Sequence, residues 1–257
     1  MSKLIISNEE RVLRLTLSYS EKRNVLEEDL CRDLVEALRY AGKEQRVGAI
    51  LLDAKGPVFC GGFDFDELVQ PSGPELTPVH EQLLTFGVHY HKPIVAAVQG
   101  PALGAGLGLI ANCHVVVAAQ GAQFGLTDIR LGFWPFVAHR SIALAIGERR
   151  AVELSLTGRI FSANDALQYG LVHEVVQPVE LAERAAQIAN LLATGSQETL
   201  RRGLDFVQKS REMSWTTAGR LADEYVARTL RSADFYEGCR AVKEKRRPDW
   251  PSLNPER

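Results

Sequence analysis

Cysteine, net charge and long apolar runs are all scarce in this chain, and each scarcity removes a class of protein. The four cysteines, Cys31, Cys60, Cys113 and Cys239, lie far apart among 257 residues and form no CxxC pair. They fit reduced thiols rather than a disulfide framework or a zinc module. The 30 Lys+Arg and 32 Asp+Glu leave a formal charge of −2. That balance offers no electrostatic footprint for nucleic acid or an anionic membrane, so neither partner is expected. The opening MSKLIISNEERVLRLTL lacks the long apolar segment and small-residue cleavage site of a secretory signal. A cytoplasmic protein is expected.

The stretch PIVAAVQGPALGAGLGLIANC, Pro93 to Cys113, carries no charge and four glycines. A membrane span needs about 20 mostly apolar helical residues. Here Gln99, Gly100 and Pro101 break the run after six, and Ile94 to Val98 is β-rich. A dinucleotide fingerprint fails because Gly104, Gly106 and Gly108 are spaced by two and position 109 is leucine; a phosphate loop fails for want of a lysine. What remains is a strand, a glycine-rich turn and a helix opening near Gly104, whose first amides have no intrahelical partner and stabilise a negative oxygen. The competing reading is close packing of helix on sheet.

Elsewhere strands and helices alternate. Val12 to Leu17 alternates as a half-buried strand, Leu26 to Tyr40 has helical spacing, and Val47 to Ala54 is a short buried strand closed by Gly56-Pro57. Pro71 to Pro78 reads as a mobile loop leading into a helix from Val79 to Tyr90. Further strands are predicted at Ile94 to Val98 and His114 to Ala118, and a helix at Ala138 to Ala145. Ser162 and Asp165 have the spacing of a helix cap. From Leu181 onward the patterns are helical only, which predicts a separate helical layer.

A second glycine cluster, FCGGFD at Phe59 to Asp64, also follows a buried strand. Two such turns can converge on one oxygen. Together with KRNVL from Lys22, KPIVAAVQGPALGAGLGL from Lys92, FGLTDIRLGFWP from Phe124, LTGRIFSANDALQYGLVHEVV from Leu156 and DFYEGCRAVKEKRRP from Asp234, it resembles the crotonase superfamily, the enoyl-CoA hydratase/isomerase family. The likeness covers almost the whole chain, with six segments in order.

The resemblance implies an α/β fold: a crotonase-like spiral of repeated strand-strand-helix units over residues 1–195, then a C-terminal helical region, 196–257, that mediates a homotrimer or a dimer of trimers. It implies that the amides of Phe63 and Ala105 hold the thioester oxygen of an acyl-CoA. Lys22, Arg23, Val25, Cys60, Gly61, Gly62, Asp64, Phe65, Leu103 and Gly104 then line the substrate or its CoA, and Phe133, Trp134 and Phe136 wall the acyl site. CoA comes as the carrier of the substrate; no separate cofactor and no metal is expected.

The chain departs from the family's hydratase pattern at both carboxylates. Gly108 stands where the first glutamate is expected and Asp128 where the second is. Water addition needs a base and an acid, whereas one carboxylate suffices to move a proton between two carbons. An isomerase or hydratase-like reaction with Asp128 as the acid-base group is therefore expected, provided apolar neighbours raise its pKa. Against it stands an ordinary aspartate paired with Arg130. Decarboxylation or thioester hydrolysis in the same hole is an alternative, and so is a catalytically inactive acyl-CoA-binding scaffold.

Several other residues invite a functional reading and have a plainer one. His89 and His91, with His80 upstream, lack the spacing of metal ligands on one helix face. Cys60 without a histidine reads as a small buried residue. His139 and Arg140 read as the start of a helix rather than substrate contacts. Lys243, Lys245, Arg246 and Arg247 are candidates for CoA phosphates or for a solvated face.

Overall fold

The computed structural model describes residues 2–69 and 78–253. The chain begins with an antiparallel pair, β1 (Leu4–Glu9) and β2 (Val12–Leu17), followed by α1 (Glu28–Lys43) and β3 (Ala49–Ala54). After β3 come a short α2 (Phe65–Leu68) and α3 (Pro78–Thr85). The next two turns of the chain run β4 (Ile94–Val98), β5 (Ala102–Leu103), α4 (Ala105–Ala111), then β6 (Val115–Ala119), β7 (Gln123–Gly125), α5 (Phe136–Ile146). They are followed by α6 (Glu148–Thr157), β8 (Ile160–Ser162), α7 (Ala163–Tyr169) and β9 (Glu174–Val176). The remaining helices are α8 (Leu181–Ala193), α9 (Gln197–Ser210), α10 (Trp215–Leu230) and α11 (Ala233–Glu244).

The large sheet has the order β1-β2-β3-β4-β6-β9 and is parallel after its first pair. Its central strand IVAAV is buried at every residue, as a parallel strand covered on both faces must be. On one face Leu51, Val95, Ala97 and Val117 meet α8 through Ala185, Ala189 and Ala193. Alanines at helical spacing let that helix lie close to the sheet. On the other face Leu15, Leu52, Ala96 and Val116 join the main core with α1, α3 and α4.

A small second sheet, β5-β7-β8, runs beside the first, and a parallel bridge from Cys60 to Ala102 extends it. Each of β3, β4 and β6 thus leads into a residue of the small sheet and then a helix, which is the expected repeat of strand, strand and helix. Two histidines help fix its register. His114 Nδ1 accepts from Ile94 N–H at 3.1 Å while His114 N–H donates to Ile94 C=O at 2.9 Å. His173 does the same to Val116, at 3.0 and 2.9 Å.

The expected elements are present with shifted ends. The helix expected over Val79 to Tyr90 is helical to Thr85 and tightens into a 3-10 turn over Phe86–His89. The Ser162–Asp165 cap forms in both directions, at 3.1 and 3.0 Å. Most of the expected loop from Pro71 lies outside the described residues. No helix among the described residues is long and apolar enough to cross a membrane. The apolar α4 is instead enclosed, with Ala105 to Ile110 all buried.

Beyond α8 the tail is tied down from α11. Asp234, 1% exposed, accepts from Ser196 Oγ at 2.5 Å, Ser252 Oγ at 2.5 Å and Ser252 N–H at 2.9 Å. Glu237 accepts from Arg246 Nη1 at 2.6 Å and from Asp249 N–H at 2.8 Å.

Candidate active site

The two glycine bends meet because the small sheet joins the strands that feed them. Phe59 and Cys60 N–H both donate to Pro101 C=O, at 3.0 and 3.2 Å, and Leu103 N–H returns a bond to Cys60 C=O at 3.0 Å. Gly62, at φ +99°, lies so close that a Cβ on it would be 3.0 Å from Leu103 O and 3.5 Å from Ala105 N. The first bend is also held from behind: Gly61 N–H donates to Arg23 C=O at 2.9 Å, and Leu26 N–H to Gly62 C=O at 2.8 Å. Ala105 is the first residue of α4, where helix geometry leaves the amide without an intrahelical acceptor. Neither Phe63 N–H nor Ala105 N–H has a backbone acceptor among the described residues.

Asp128 reaches the same place from a third element. Gly104 N–H donates to Gly125 C=O at 2.9 Å, which anchors β7 beside the head of α4. The 3-10 turn Thr127–Leu131 follows and turns the Asp128 side chain inward. The residue is 3% exposed, and its Oδ2 has no hydrogen-bond partner among the described residues. Burial pushes its carboxyl above the usual aspartate range, opposed by a hydrogen bond from its own backbone N–H. Arg130 is not its partner: that guanidinium donates to Gly158 C=O at 2.7 Å. The pairing that would have made Asp128 an ordinary aspartate is not among the ion pairs of the described residues, and Arg130 is spent on Gly158 instead.

The space beside Gly108, where the resemblance places the family's first glutamate, is closed. A Cβ on Gly108 would lie 2.5 Å from Ala138 Cβ and 3.4 Å from Leu84 Cδ2, so α5 and α3 occupy the space a glutamate would take. Nothing in the sequence pointed to Ala138.

Aromatic rings border the bends. Phe63 meets His80 edge-on at 5.4 Å and Phe133 at 6.5 Å; Phe133 also meets Phe65 at 6.4 Å and Phe136 at 6.3 Å. The line runs from Phe63, 5% exposed, to Phe136, 73% exposed. Trp134 packs instead toward His139, at 5.8 Å.

The KRNVL segment lies behind the first bend, with Val25 Cγ1 3.4 Å from where a Cβ of Gly61 would be. Lys22 is engaged by Glu27 at 2.9 Å and by Asp64 at 3.1 Å, which hold its ammonium above the usual lysine range. Burial alone would raise Glu27, but hydrogen bonds from Lys3 and Lys22 hold it down at about 2. Asp64 also caps α2 through Asp66 N–H at 3.0 Å. The segment's hinge is Asn24, at φ +52° and fully buried. Its amide donates to Lys55 C=O at 3.0 Å and Val58 C=O at 2.8 Å, and its carbonyl accepts from Tyr19 N–H at 2.8 Å. Sequence reasoning passed over Asn24; its tolerance of left-handed backbone was the available signal.

Three of the remaining candidates are engaged elsewhere. His139 pairs with Glu148 at 3.0 Å and Arg140 with Glu212 at 2.6 Å. Among the tail's basic residues Arg246 is taken up by Glu237 and Glu244. No group of three or more His, Cys, Asp or Glu among the described residues is placed to hold a metal.

The chain has counterparts among known proteins. Residues 7–253 match the enoyl-CoA hydratase/isomerase family profile. The chain belongs to the enoyl-CoA hydratase/isomerase family. It is 34% identical over 254 residues to 2,3-dehydroadipyl-CoA hydratase of Escherichia coli, covering 97% of this chain and 99% of that one. It is 29% identical to mevalonyl-coenzyme A hydratase of Aspergillus fumigatus, covering 93% and 91%. The crystal structure of human enoyl-CoA hydratase domain-containing protein 3 superposes with a TM-score of 0.92 at 27% identity, covering 97% of this chain and all of that one. Enoyl-CoA hydratase of Mycobacterium smegmatis superposes at 0.91, also at 27% identity. The protein is an acyl-CoA enzyme of this family with the crotonase fold.

Proposed function

We propose that the protein moves the double bond of an enoyl-CoA with an apolar acyl chain, using a single carboxylate. The thioester oxygen sits between the N–H groups of Phe63 and Ala105. Asp128 takes a proton from C2 of a 3-enoyl-CoA, and the electrons pass into a dienolate whose oxygen the two amides hold. The proton returns at C4, leaving the conjugated 2-enoyl-CoA with no net change in atoms or charge. Removing one such donor from another enzyme raises the barrier by about 2.7–4 kcal/mol. CoA is carried by the substrate, and the reaction draws on no separate cofactor.

The observation that carries this reading is Asp128: buried, with one oxygen lacking a partner among the described residues, and with its carboxyl raised by its surroundings. Closure of position 108 by Ala138 favours isomerisation over two-carboxylate hydration. It also suits decarboxylation in the same hole, which needs no second carboxylate. The test incubates the protein with a 3-enoyl-CoA and a 2-enoyl-CoA and follows the absorbance of the conjugated thioester. Conjugation of the 3-enoyl substrate, lost in Asp128→Asn, is the expected result. No change with either, despite binding, would leave an acyl-CoA-binding scaffold.

The same reading makes 196–257 the oligomerisation region of a homotrimer or dimer of trimers. An apolar groove of about 410 Å³ between α9 and α10, lined by Phe206, Tyr225, Val226 and Leu230, supports it. Light scattering of the purified protein tests it, and a monomer would reject it.

A further inference from the structure

We propose that Cys60 is a positioning residue for the thioester oxygen, acting as the spacer and acceptor that holds the two oxyanion bends in register. The inference rests on the reading of Phe63 and Ala105 as the oxyanion donors.

Cys60 is fully buried and is the point at which the two bends touch. Its main chain pairs with the second bend through Pro101 and Leu103 on either side of the bridge to Ala102. Its side chain seats the first turn of α4. A Cβ on Gly106 would be 2.6 Å from Cys60 O, 2.8 Å from its Cβ and 2.9 Å from its Sγ. Nothing lies between this residue and the helix whose head carries the Ala105 amide.

The thiol also sorts the amides of the first bend. Gly61 N–H goes to Arg23 C=O. Gly62 N–H faces the Cys60 sulfur and opposes the rise that burial imposes on the thiol, whose pKa is pushed up to about 12 and which stays protonated. Phe63 N–H follows with no backbone acceptor among the described residues. Without the sulfur, Gly62 N–H would turn to another acceptor, since a buried amide left unpaired is unfavourable. The substrate oxygen beside it would be the nearest candidate, and the bend would rotate to reach it. A residue with no exposed surface thereby sets the direction of an amide that meets the substrate.

A purely packing role predicts lost stability with unchanged carbonyl polarisation; the positioning role predicts the reverse emphasis. The experiment binds a saturated acyl-CoA labelled with carbon-13 at the thioester carbonyl and records the infrared carbonyl band in wild type, Cys60→Ala and Cys60→Ser. Turnover of the 3-enoyl-CoA is measured alongside. In wild type the band shifts to lower frequency than in water. In Cys60→Ala it moves back toward the water value, and kcat falls between about 10- and 100-fold with KM little changed. Cys60→Ser keeps an acceptor on a shorter bond, so its band and kcat fall between the two. The serine variant alone decides the matter where the alanine variant does not fold. A folded variant of either kind with the wild-type band and wild-type kcat would overturn the role of Cys60. A wild-type band unmoved from water would instead overturn the oxyanion reading itself, so the two failures are told apart.

Discussion

Asp128 rests its carboxylate directly on the bare Cα of Gly104: a methyl there would lie 2.8 Å from Oδ1 and 2.9 Å from Oδ2. Gly104 also has φ +53°, a left-handed conformation that side chains resist. The residue that opens α4 is thus glycine for two independent reasons. Gly104→Ala is expected to add about 1–3 kcal/mol of backbone strain and to push the acid away from the head of the helix. Thermal melting should fall by several degrees, at about 2–4 °C per kcal/mol for a chain near this size. Turnover should fall further than stability explains. A variant with wild-type melting and wild-type rate would show that the contact is unimportant.

Asp128→Asn separates charge from shape. Acyl-CoA binding should persist while turnover drops by about 10²–10⁴, the usual worth of a positioned acid-base group. Steady-state kinetics and calorimetric binding measure the two effects. In wild type the base is active when ionised, so kcat/KM should fall on the acid side at a pH above the ordinary aspartate value of 3.8.

Stability supplies a second check on the same group. Its folded-state pKa is raised, so the stability it contributes is complete below the unfolded value and disappears as pH rises through the folded one. The melting temperature of Asp128→Asn relative to wild type should therefore climb from acid toward neutral pH. A difference that stays constant with pH would mean that Asp128 titrates normally.

Gly108 and Ala138 form a size pair. Gly108→Ala places two methyl carbons at a nominal 2.5 Å, an overpacking expected to cost about 1–3 kcal/mol. Adding Ala138→Gly should recover most of the loss, with a coupling of about 0.5–3 kcal/mol in a double-mutant cycle measured by urea denaturation. Additive effects would show that α4 and α5 are not in contact there. Gly108→Glu alone should not create a hydratase, because α5 stands where its side chain would go.

The tail has its own pH signature. Hydrogen bonds from Arg246, then from Asp249 N–H, hold the Glu237 carboxylate down at about 2, below its ordinary 4.5. A depressed acid contributes stability above its unfolded pKa and loses it as pH falls through the folded value, here from about 4.5 to about 2. Glu237→Gln should remove that part of the acid sensitivity. Hydrogen exchange should then show faster opening of the segment around Asp249 to Ser252 at neutral pH. Unchanged protection would mean that Asp234 and its serine contacts suffice to hold the tail.

Much of the frame could be read from the chain because its signals are local. The buried runs at β3 and β4, the alternation in β2, the Ser162–Asp165 cap and the glycines of the two bends each depend on residues a few positions apart. Strand burial and turn conformation follow from such neighbours directly. The likeness of six ordered segments then supplied the fold, and with it the expectation that Phe63, Ala105 and Asp128 share one site.

Only the tertiary structure decided what those residues meet. Arg130, two positions from Asp128, could have neutralised it, yet its guanidinium donates to Gly158. Gly108 reads in one dimension as a lost glutamate, and only the crossing of α5 shows Ala138 filling the place. Cys60 reads as a small buried residue, and only the junction of the two bends makes it a spacer. Arg246 reads as a free cation, and only the fold of the tail brings Glu237 beneath it. The reason is common to all four: backbone preference is set by near neighbours, whereas the environment of a side chain is set by residues beyond that local range, at distances where an ångström separates contact from none.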